Sequence, residues 1–570
     1  MLKRYLPALL WLPHYNRRLL SSDLMAGVIV TLMVIPQSMA YAMLAGLPAV
    51  VGLYASLLPA ILYALLGTSR TLAVGPVAII GLMTGAALSR VAEPGTQEYL
   101  QAAWHLSLLS GAMLAIMGAL KMGFFANFLS HPVIGGFLSA SGLLIAISQL
   151  SHLIGVDASG YTALSLLNSL VHHLSDINLP TMALGVGTLM WLFAVRRWGR
   201  RTLIRLGLTR GLVTLTQRAG PLFAVILSTV ISAVFKLHEH GVAVVGTIPA
   251  GLPPLTLPLP NATLWQALWM PALLISVVGF VESISMAQLM AARRRERIVP
   301  NQELIGLGGA NLAAAFSAGM PVSGGLSRTV INAGAGSRTP MAGAFAAVGI
   351  GVITLWLTPW LFHLPVATLA ATIIMSVLTL VDIPLMRRTL RYSRSDFSAM
   401  AVTMFMTLTD GVESGLLLGV ALSIGLFLYR TSRPHSALVG RIPGTEHFRN
   451  SARHETQTAD HLALLRIDES LYFANARYLE DTIQALVAKR RGIEHVVLIC
   501  SAVNLIDASA LESLDSINRR LSEARVTLHL AEVKGPVMDR LKKSDFLGSL
   551  SGRVFLSTYS AWKTLKQKAK

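Results

Sequence analysis

Charged side chains are scarce in this 570-residue chain: Asp, Glu, Lys and Arg make up 13% of it, against about 25% in typical soluble proteins. A single cysteine, Cys500, excludes an intramolecular disulfide and any metal site built from several cysteines. The 15 histidines form no HExxH or paired-ligand spacing, and there is no glycine-rich phosphate loop or nucleophile–base set. These absences argue against a metal site, a bound cofactor and an enzyme.

Apolar residues take the place of the missing charge. They make up 53% of the chain, and the mean hydropathy is +0.60. Runs of about 20 apolar residues occupy positions 24–45, 48–66, 104–120 and 341–360, and each can cross the ~30 Å hydrocarbon core of a bilayer. The sequence therefore predicts a polytopic α-helical membrane protein.

Basic residues outnumber acidic ones by 47 to 28, a balance that in a soluble protein would suggest a nucleic acid partner. Here the arginines cluster at positions 196–218, 293–297 and 387–394, whereas residues 237–264 contain no Lys or Arg. Basic loops of membrane proteins lie on the cytoplasmic side. Membrane topology thus explains the excess better, and no nucleic acid partner is predicted.

Three apolar segments are short or interrupted by glycine, at residues 75–90, 302–316 and 324–338. Counting each of them as a crossing gives fourteen spans. With the amino terminus inside, the three basic segments then follow spans 6, 8 and 12, as the distribution of arginine requires. The sequence predicts a multi-pass protein with both termini in the cytoplasm.

The last 130 residues differ in composition from the rest. "HLALLRID", "HVVLIC" and "RVTLHLAE" are typical of strands, and a helical pattern follows each, at 475–489, 509–524 and 537–543. Strands that alternate with helices indicate an α/β fold. We therefore predict a transmembrane transport domain over 1–430, a linker over 431–459 and a small cytoplasmic α/β domain over 460–570.

Two of the interrupted segments share one plan. In "SRTLAVGPVAIIGLMTGAAL" (69–88) an extended piece at 71–74 precedes a half-helix that begins near Gly75-Pro76, and "MPVSGGLSRTVINAGAG" (320–336) repeats this around 321–323. Matching broken segments in the two halves of a chain indicate a transporter site. Two half-helices that meet head to head would direct about +0.5 charge each at one spot. That spot favours an anion.

Two ionisable residues lie in apolar surroundings, Arg328 in "GGLSRTVINAGAG" and Glu282 in "GFVESISMA". A charge at membrane depth costs roughly 2.5–3.5 kcal/mol on insertion scales, so such residues are functional candidates. Three structural alternatives stay open. Arg328 is a charge that holds the helix start through backbone carbonyls, Glu282 is a permanently protonated acid between two helices, or the two form a static salt bridge.

The run "IPQSMAYAMLAGLPAVVGLYASLLPAILYALLGTSRTLAVGPVA" (35–78), with "GFVESISMA" and "SRTVINAGAGSRTP", resembles the SulP sulfate permease family, bacterial relatives of the solute carrier 26 anion transporters. The carboxy-terminal domain resembles the STAS domain of that family. This resemblance covers nearly the whole chain. It implies fourteen spans in a seven-plus-seven inverted repeat of core and gate domains, a homodimer, and an elevator-like movement of core against gate.

The resemblance also implies an anion site between the third and tenth spans. Backbone N–H groups and a serine hydroxyl would donate to an oxyanion there. Carried onto this sequence, the positions are Gln37, Tyr41, Val77, Ala78, Gly325, Leu326, Ser327 and Arg328. The alternatives are an interhelical hydrogen bond for Gln37, a packing role for Tyr41 and a bond of Ser327 to its own helix.

Glu282 resembles the glutamate of proton-coupled relatives, which implies protons as the coupling ion. Sodium-dependent bicarbonate relatives carry an aspartate and threonines as ion ligands in this region. The present chain has Ser283 and Ser285 beside Glu282, so sodium coupling is less favoured.

In the STAS-like domain, "NLIDASALESL" (504–514) corresponds to the strand-to-helix loop that is phosphorylated in regulatory relatives. Ser509 occupies the phosphoacceptor position and Asp507 is its acidic neighbour, but Ala510 replaces the usual glycine. The structural alternative for Ser509 is the helix N-cap. A regulatory site, or a cytoplasmic protein partner for this domain, is the functional interpretation.

Together these features predict a secondary active transporter in the cell inner membrane that carries sulfate with protons. A C4-dicarboxylate or bicarbonate substrate is the alternative within the family. A membrane sensor that signals through the STAS domain is the alternative from another class. A sensor, however, does not require two matching half-helices or a buried acid and base.

Overall fold

The computed structural model describes residues 6–567 except 125–129, 159, 161, 200–203, 206–219 and 491. The chain divides into two compact units, Met1–Ser423 and Ile424–Lys570. Most of the arginine-rich segment at 196–218 lies outside the described residues, so its cytoplasmic placement stays a prediction.

The first unit is helical. Its helices are α1 (Ala8–Trp11), α2 (Arg17–Leu44), α3 (Ala49–Tyr54), α4 (Leu58–Leu66), α5 (Ala78–Leu88), α6 (Gln97–Ala119), α7 (His131–Ser148), α8 (Leu150–Ile154), α9 (Ala163–His172), α10 (Leu179–Arg197), α11 (Gly220–Val234), α12 (Ala262–Arg294), α13 (Pro300–Phe316), α14 (Leu326–Gly334), α15 (Met341–Trp356), α16 (Val366–Val377), α17 (Ile383–Tyr392), α18 (Arg394–Thr409) and α19 (Val412–Ser432), the last of which continues into the second unit.

Eight helical segments among the described residues are long and apolar enough to cross a bilayer, and four shorter apolar helices accompany them. The longest, α12, has 33 residues and begins where the Asn261 side chain accepts hydrogen bonds from the Thr263 and Leu264 N–H groups. The polytopic helical architecture is thus confirmed. The count of fourteen spans stays a prediction.

Small residues allow the helices of this unit to pack closely. Helices α6 and α13 cross at Gly111 and Gly308, and a Cβ atom added to Gly308 would lie 2.7 Å from the Ala115 backbone nitrogen. Close backbone approach at glycine is typical of helix pairs in membranes, where van der Waals contact drives association. The crossing fixes two of the helices that surround the broken segments.

The two broken segments have the predicted form. Strand β1 (Val74–Gly75) precedes α5, and strand β2 (Ser323–Gly324) precedes α14. Both strands are buried. Each half-helix therefore begins inside the unit instead of at its surface.

The second unit is a mixed six-stranded sheet with helices. The strands β3 (Ser436–Arg441), β4 (Phe448–Asn450), β5 (Leu462–Ile467), β6 (His495–Ile499), β7 (Thr527–Ala531) and β8 (Val554–Phe555) lie in the order β4-β3-β5-β6-β7-β8. The helices are α20 (Ala476–Lys489), α21 (Ala508–Glu523), α22 (Gly535–Leu541), α23 (Phe546–Ser549) and α24 (Thr558–Leu565). Strands β5 to β8 are parallel, whereas β3 is antiparallel to β4 and β5. The three predicted strands and the helix after each are confirmed.

The predicted linker at 431–459 requires correction, because β3 and β4 lie within it and belong to the sheet. Ser436 pairs with Ile467, and Val439 pairs with Asn450. These strands are short and are surrounded by polar residues and prolines, so their sequence has no clear strand pattern. The sheet domain thus begins more than twenty residues before position 460.

The N-cap of α21 is also corrected. The Asp507 side chain accepts a hydrogen bond from the Ala510 N–H at 2.8 Å and is the cap, whereas Ser509 lies exposed in the first helical turn. Asp507 also accepts from the Phe473 N–H at 2.9 Å. The structural alternative for Ser509 therefore does not hold, and its regulatory role stays a prediction.

Candidate anion-binding site

The two half-helices of the first unit are joined at their amino-terminal ends. Strands β1 and β2 pair in antiparallel orientation, with Val74 opposite Gly324 and Gly75 opposite Ser323. The Ala73 N–H donates to Thr329 Oγ1 at 3.2 Å, and Asn332 Nδ2 donates to the Thr71 carbonyl at 2.9 Å. The predicted head-to-head arrangement of the segments is therefore present in the structure.

The first turns of α5 and α14 supply backbone donors at this junction. The N–H groups at the start of any helix have no intrahelical acceptor and carry a partial positive charge. Gly325 was expected to be one of these donors, but its N–H donates to the Ala73 carbonyl at 3.3 Å. The donors of α14 that face the junction are therefore those of the residues after it.

All nine residues assigned to the substrate or the proton line one cavity of about 40 Å³, above the ~10–15 Å³ that holds one water. They are Gln37, Tyr41, Val77, Ala78, Glu282, Gly325, Leu326, Ser327 and Arg328. Ile79, Ser376, Val377, Thr379 and Leu380 complete the lining. The last four lie at the end of α16 and just beyond it, in a stretch that sequence reasoning did not single out.

Gln37 and Tyr41 lie one turn apart on α2 and both face the cavity. Gln37 Oε1 is buried without a hydrogen-bond partner among the described residues. Tyr41 Oη lies 3.4 Å from Ser376 Oγ. Gln37 thus has an unused polar atom at the cavity, which does not fit the alternative of an interhelical hydrogen bond through that oxygen.

Arg328 is 2% exposed, and its guanidinium extends to α2. Its Nη2 donates to Ser38 Oγ at 2.9 Å, and Ser38 Oγ lies 2.8 Å from Ser56 Oγ. Its Nη1 lies against Gly75, the position where a Cβ atom would overlap it. Arg328 is therefore held by a hydroxyl of another helix and by a strand that has no side chain at this point.

Glu282 lines the same cavity from α12. Its Oε2 is buried and has no hydrogen-bond partner among the described residues, and within that part of the chain no ion pair with Arg328 forms at 4.0 Å or less. The static salt bridge considered above is therefore absent in this structure. The carboxyl group has an oxygen available to a proton or a ligand.

Ser283, next to Glu282, holds β2 in place. Its Oγ donates to the Gly279 carbonyl at 2.6 Å and accepts from the Gly324 N–H at 2.8 Å. Ser323 Oγ donates to the same Gly279 carbonyl at 2.8 Å. One candidate sodium ligand is thus engaged in structural hydrogen bonds. Nor do the described residues contain a group of three or more His, Cys, Asp or Glu side chains that could hold a metal ion.

A larger cavity of about 400 Å³ adjoins the site, and we call it the vestibule. Gln37, Ser327, Ser376 and Thr379 line both the vestibule and the smaller cavity. Arg196, at the end of α10, also lines the vestibule and is exposed. The vestibule therefore adjoins the junction of the half-helices, and an exposed arginine is part of its lining.

The profile of the sulfate permease family matches residues 20–403, and that of the STAS domain matches residues 453–561. This chain belongs to the sulfate permease family. The family is one of sulfate transporters and not of enzymes. The expected STAS domain is confirmed, and it is the second structural unit.

Relatives of this chain are found in bacteria and plants. The chain is 31% identical to the probable sulfate transporter Rv1739c of Mycobacterium tuberculosis over 565 residues, which span 99% of this chain and 98% of that protein. It is 33% identical to sulfate transporter 4.1, chloroplastic, of Arabidopsis thaliana over 538 residues, 92% of this chain and 77% of that one. Anion transport is the function that these relatives share by name.

Solved structures show the same fold. This chain superposes on SLC26A9 with a TM-score of 0.90 at 23% identity, over 99% of this chain and 93% of that chain. The transmembrane domain of the cyanobacterium bicarbonate transporter BicA gives a TM-score of 0.60 at 22% identity, over 72% of this chain and 99% of that chain. The fold is therefore that of the SLC26 transporters, with many apolar helices and a carboxy-terminal STAS domain.

Proposed function

We propose that this protein is a secondary active transporter that takes up sulfate together with protons. The observation that carries the proposal is the convergence of two half-helix N-termini and the buried Arg328 on one cavity. The half-helices contribute about +1 in total, and the guanidinium adds another positive charge. Small oxyanions match this site, with sulfate first and bicarbonate or a C4-dicarboxylate as alternatives.

Glu282 is the proposed proton carrier. With its carboxyl group ionised, the charges around the cavity sum to about +1; with the group protonated, the sum is about +2 and matches a dianion. The support for this role is the position of Glu282 on the cavity with a buried, unpartnered oxygen and no ion pair to Arg328. Uptake of a proton with the anion would then couple transport to the proton gradient.

The test is Glu282→Gln in proteoliposomes that contain the full chain. The variant should bind sulfate and exchange labelled for unlabelled sulfate, because an amide resembles the protonated acid. It should not accumulate sulfate above equilibrium under an inward proton gradient. Accumulation by the variant equal to that of the wild type would leave Glu282 a structural acid.

Arg328→Ala serves as the contrasting variant. A hydrogen bond between charged groups contributes roughly 1.5–3 kcal/mol, so its loss should weaken sulfate binding by about tenfold or more. Both accumulation and exchange should therefore fall. Unchanged binding in this variant would contradict the assignment of the cavity as the anion site.

For the location, we propose the cell inner membrane with both termini in the cytoplasm. We further propose a homodimer and an elevator-like movement of α2 and α14, in the core domain, against α10, α11 and α16, in the gate domain. The vestibule, which is lined by residues of these five helices, supports the proposed movement. Cysteine at Arg205 should then resist impermeant thiol reagents added outside intact cells, and cysteine at Leu255 should react. Leu255 is 86% exposed in the segment without Lys or Arg.

Native Cys500 does not interfere with this measurement. It is buried in the second unit, and burial raises the pKa of its thiol to about 12, so the reactive thiolate is scarce at neutral pH. The reverse labelling pattern would overturn the proposed topology and the cytoplasmic placement of the STAS domain.

A further inference from the structure

Two polar side chains of the cavity lining, Ser376 and Thr379, have no assigned role. Ser376 lies on α16, next to its last residue, and reaches the cavity from a different helix than the residues assigned above. Its Oγ is 3.4 Å from Tyr41 Oη and 3.4 Å from Ser327 Oγ. Three hydroxyl groups from α2, α14 and α16 therefore converge on one point.

These hydroxyl groups are poorly satisfied by one another. Hydrogen bonds between hydroxyl groups have a preferred length of about 2.7–2.8 Å, and both distances at Ser376 are 3.4 Å. Each hydroxyl has one proton to donate. An acceptor oxygen between them would receive shorter hydrogen bonds than they make now.

The other residues at this end of α16 do not compete for such an acceptor. Thr379 Oγ1 donates to the Ser376 carbonyl at 2.6 Å, and Val377 and Leu380 are apolar. Ser376 lines both the cavity and the vestibule, at the boundary between them. Thr372, the other α16 hydroxyl in the vestibule lining, donates to the Leu369 carbonyl at 2.8 Å. Ser376 is therefore the available hydroxyl of α16 at the entrance to the cavity.

We propose that Ser376 is a substrate ligand that donates its hydroxyl proton to an oxygen of a bound oxyanion and thereby sets the affinity of the site. The proposal rests on the proposed function, since it requires a small oxyanion as the substrate. The site then spans α16 as well as α2, α5, α12 and α14. Binding of the anion would draw α16 toward α2 and α14.

The first test is the kinetics of labelled sulfate uptake by the full chain in proteoliposomes. Ser376→Ala should raise the KM by about tenfold or more, as expected for loss of a hydrogen bond to a charged group, with Vmax within about twofold of the wild type. Ser376→Thr, which keeps the hydroxyl, should restore most of the affinity.

Thr368→Val is the matched control on the same helix. Thr368 is buried, and its Oγ1 has no partner among the described residues. It lines neither the cavity nor the vestibule. Its KM should equal that of the wild type.

The second test does not depend on transport and applies even if the alanine variant folds poorly. Ser376→Cys in detergent should react with a small methanethiosulfonate reagent, and sulfate should slow the reaction at concentrations near the wild-type KM. Met375→Cys, which lines only the vestibule, should react at a rate that sulfate does not change. Equal protection of both cysteines, or of neither, would overturn the proposal.

The outcomes separate this proposal from the proposed function. A wild-type KM retained by Ser376→Ala, with sulfate transported normally, would refute the role of Ser376 alone. A wild-type protein without saturable sulfate uptake would refute sulfate as the substrate, and the role of Ser376 as a sulfate ligand with it.

Discussion

At the scale of single residues, the position of Arg328 depends on a residue that has no side chain. The guanidinium Nη1 occupies the space that a Cβ atom on Gly75 would need, and Nη2 is fixed by Ser38. Glycine is the only residue that permits this approach of a side chain to the backbone of β1. The orientation of the Arg328 guanidinium thus depends on the absence of a Cβ atom at Gly75.

We therefore expect Gly75→Ala to displace Arg328 and to weaken sulfate binding by about tenfold or more, since a charged donor to the anion is lost. Binding of labelled sulfate to the purified protein measures this effect. Gly343→Ala is the matched control, because the nearest atom to an added Cβ there is the Ala60 carbonyl oxygen at 4.0 Å. Equal affinities of the two variants would contradict the positioning role of Gly75.

The sequence identified the cavity residues on α2, α12 and the two half-helices, but not those at the end of α16. Gln37, Arg328 and the residues assigned with them lie in runs that resemble family signatures. Ser376 lies in "ATIIMSVLTL", where one serine in an apolar helix has no spacing that distinguishes it from a packing residue. Only the packing of α16 across the cavity shows its proximity to Tyr41 and Ser327.

At the scale of elements, polar groups hold the carboxy-terminal end of α14. Arg294, the last residue of α12, donates to the Ser337 and Ala333 carbonyls at 2.7 and 3.3 Å. Asp23 of α2 is fully buried and accepts from the Arg338 and Thr339 N–H groups at 2.6 and 3.1 Å. The half-helix is thus fixed at both ends, by β2 at its start and by two neighbouring helices at its end.

Asp23→Asn should destabilise the transport unit, because the amide has one acceptor oxygen and presents an N–H group to the donors that remain. Hydrogen bonds to a charged group contribute about 1.5–3 kcal/mol each, so the apparent Tm should fall by several degrees. Thermal unfolding in detergent measures this. Asp176→Asn, at an exposed acid, is the control, and a fall of equal size in both variants would argue against the role of Asp23.

The half-helices themselves were predictable because Gly-Pro and Gly-Gly pairs interrupt apolar runs at corresponding places. The anchors were not. Asp23 acts on residues more than 300 positions away, and Glu303 accepts from Tyr63 Oη at 2.7 Å and from the Ser69 N–H at 3.0 Å, at the start of the first broken segment. The local sequence around Asp23 and Glu303 does not predict contacts with residues so far away in the chain.

At the scale of the whole molecule, the division into two units determines where the STAS domain can be removed. The sheet includes β3 from Ser436 onward, so a truncation at residue 440 would cut through that strand. A chain that ends at Ser432 keeps α19 intact and removes the whole sheet. All residues of the candidate site belong to the first unit.

We expect the protein truncated after Ser432 to bind sulfate with an affinity within about threefold of that of the full chain, whereas its expression or transport rate falls. Equilibrium binding to purified, monodisperse protein is the measurement. Loss of all binding from a folded truncated protein would show that the STAS domain is required for the site.

The pairing of β1 with β2 also has a consequence for how the protein is made. Ala73 and Thr329, which hydrogen-bond beside these strands, lie 256 residues apart in the sequence. At ~5–20 residues per second a ribosome needs roughly 13–50 s to synthesise that interval. If α5 is inserted as it is synthesised, the backbone groups of β1 have no partner during this time, and lipid does not satisfy them. The backbone groups of β1 would then have to be shielded by protein or by the insertion machinery until β2 is synthesised. The anion site can form only after β2 has paired with β1.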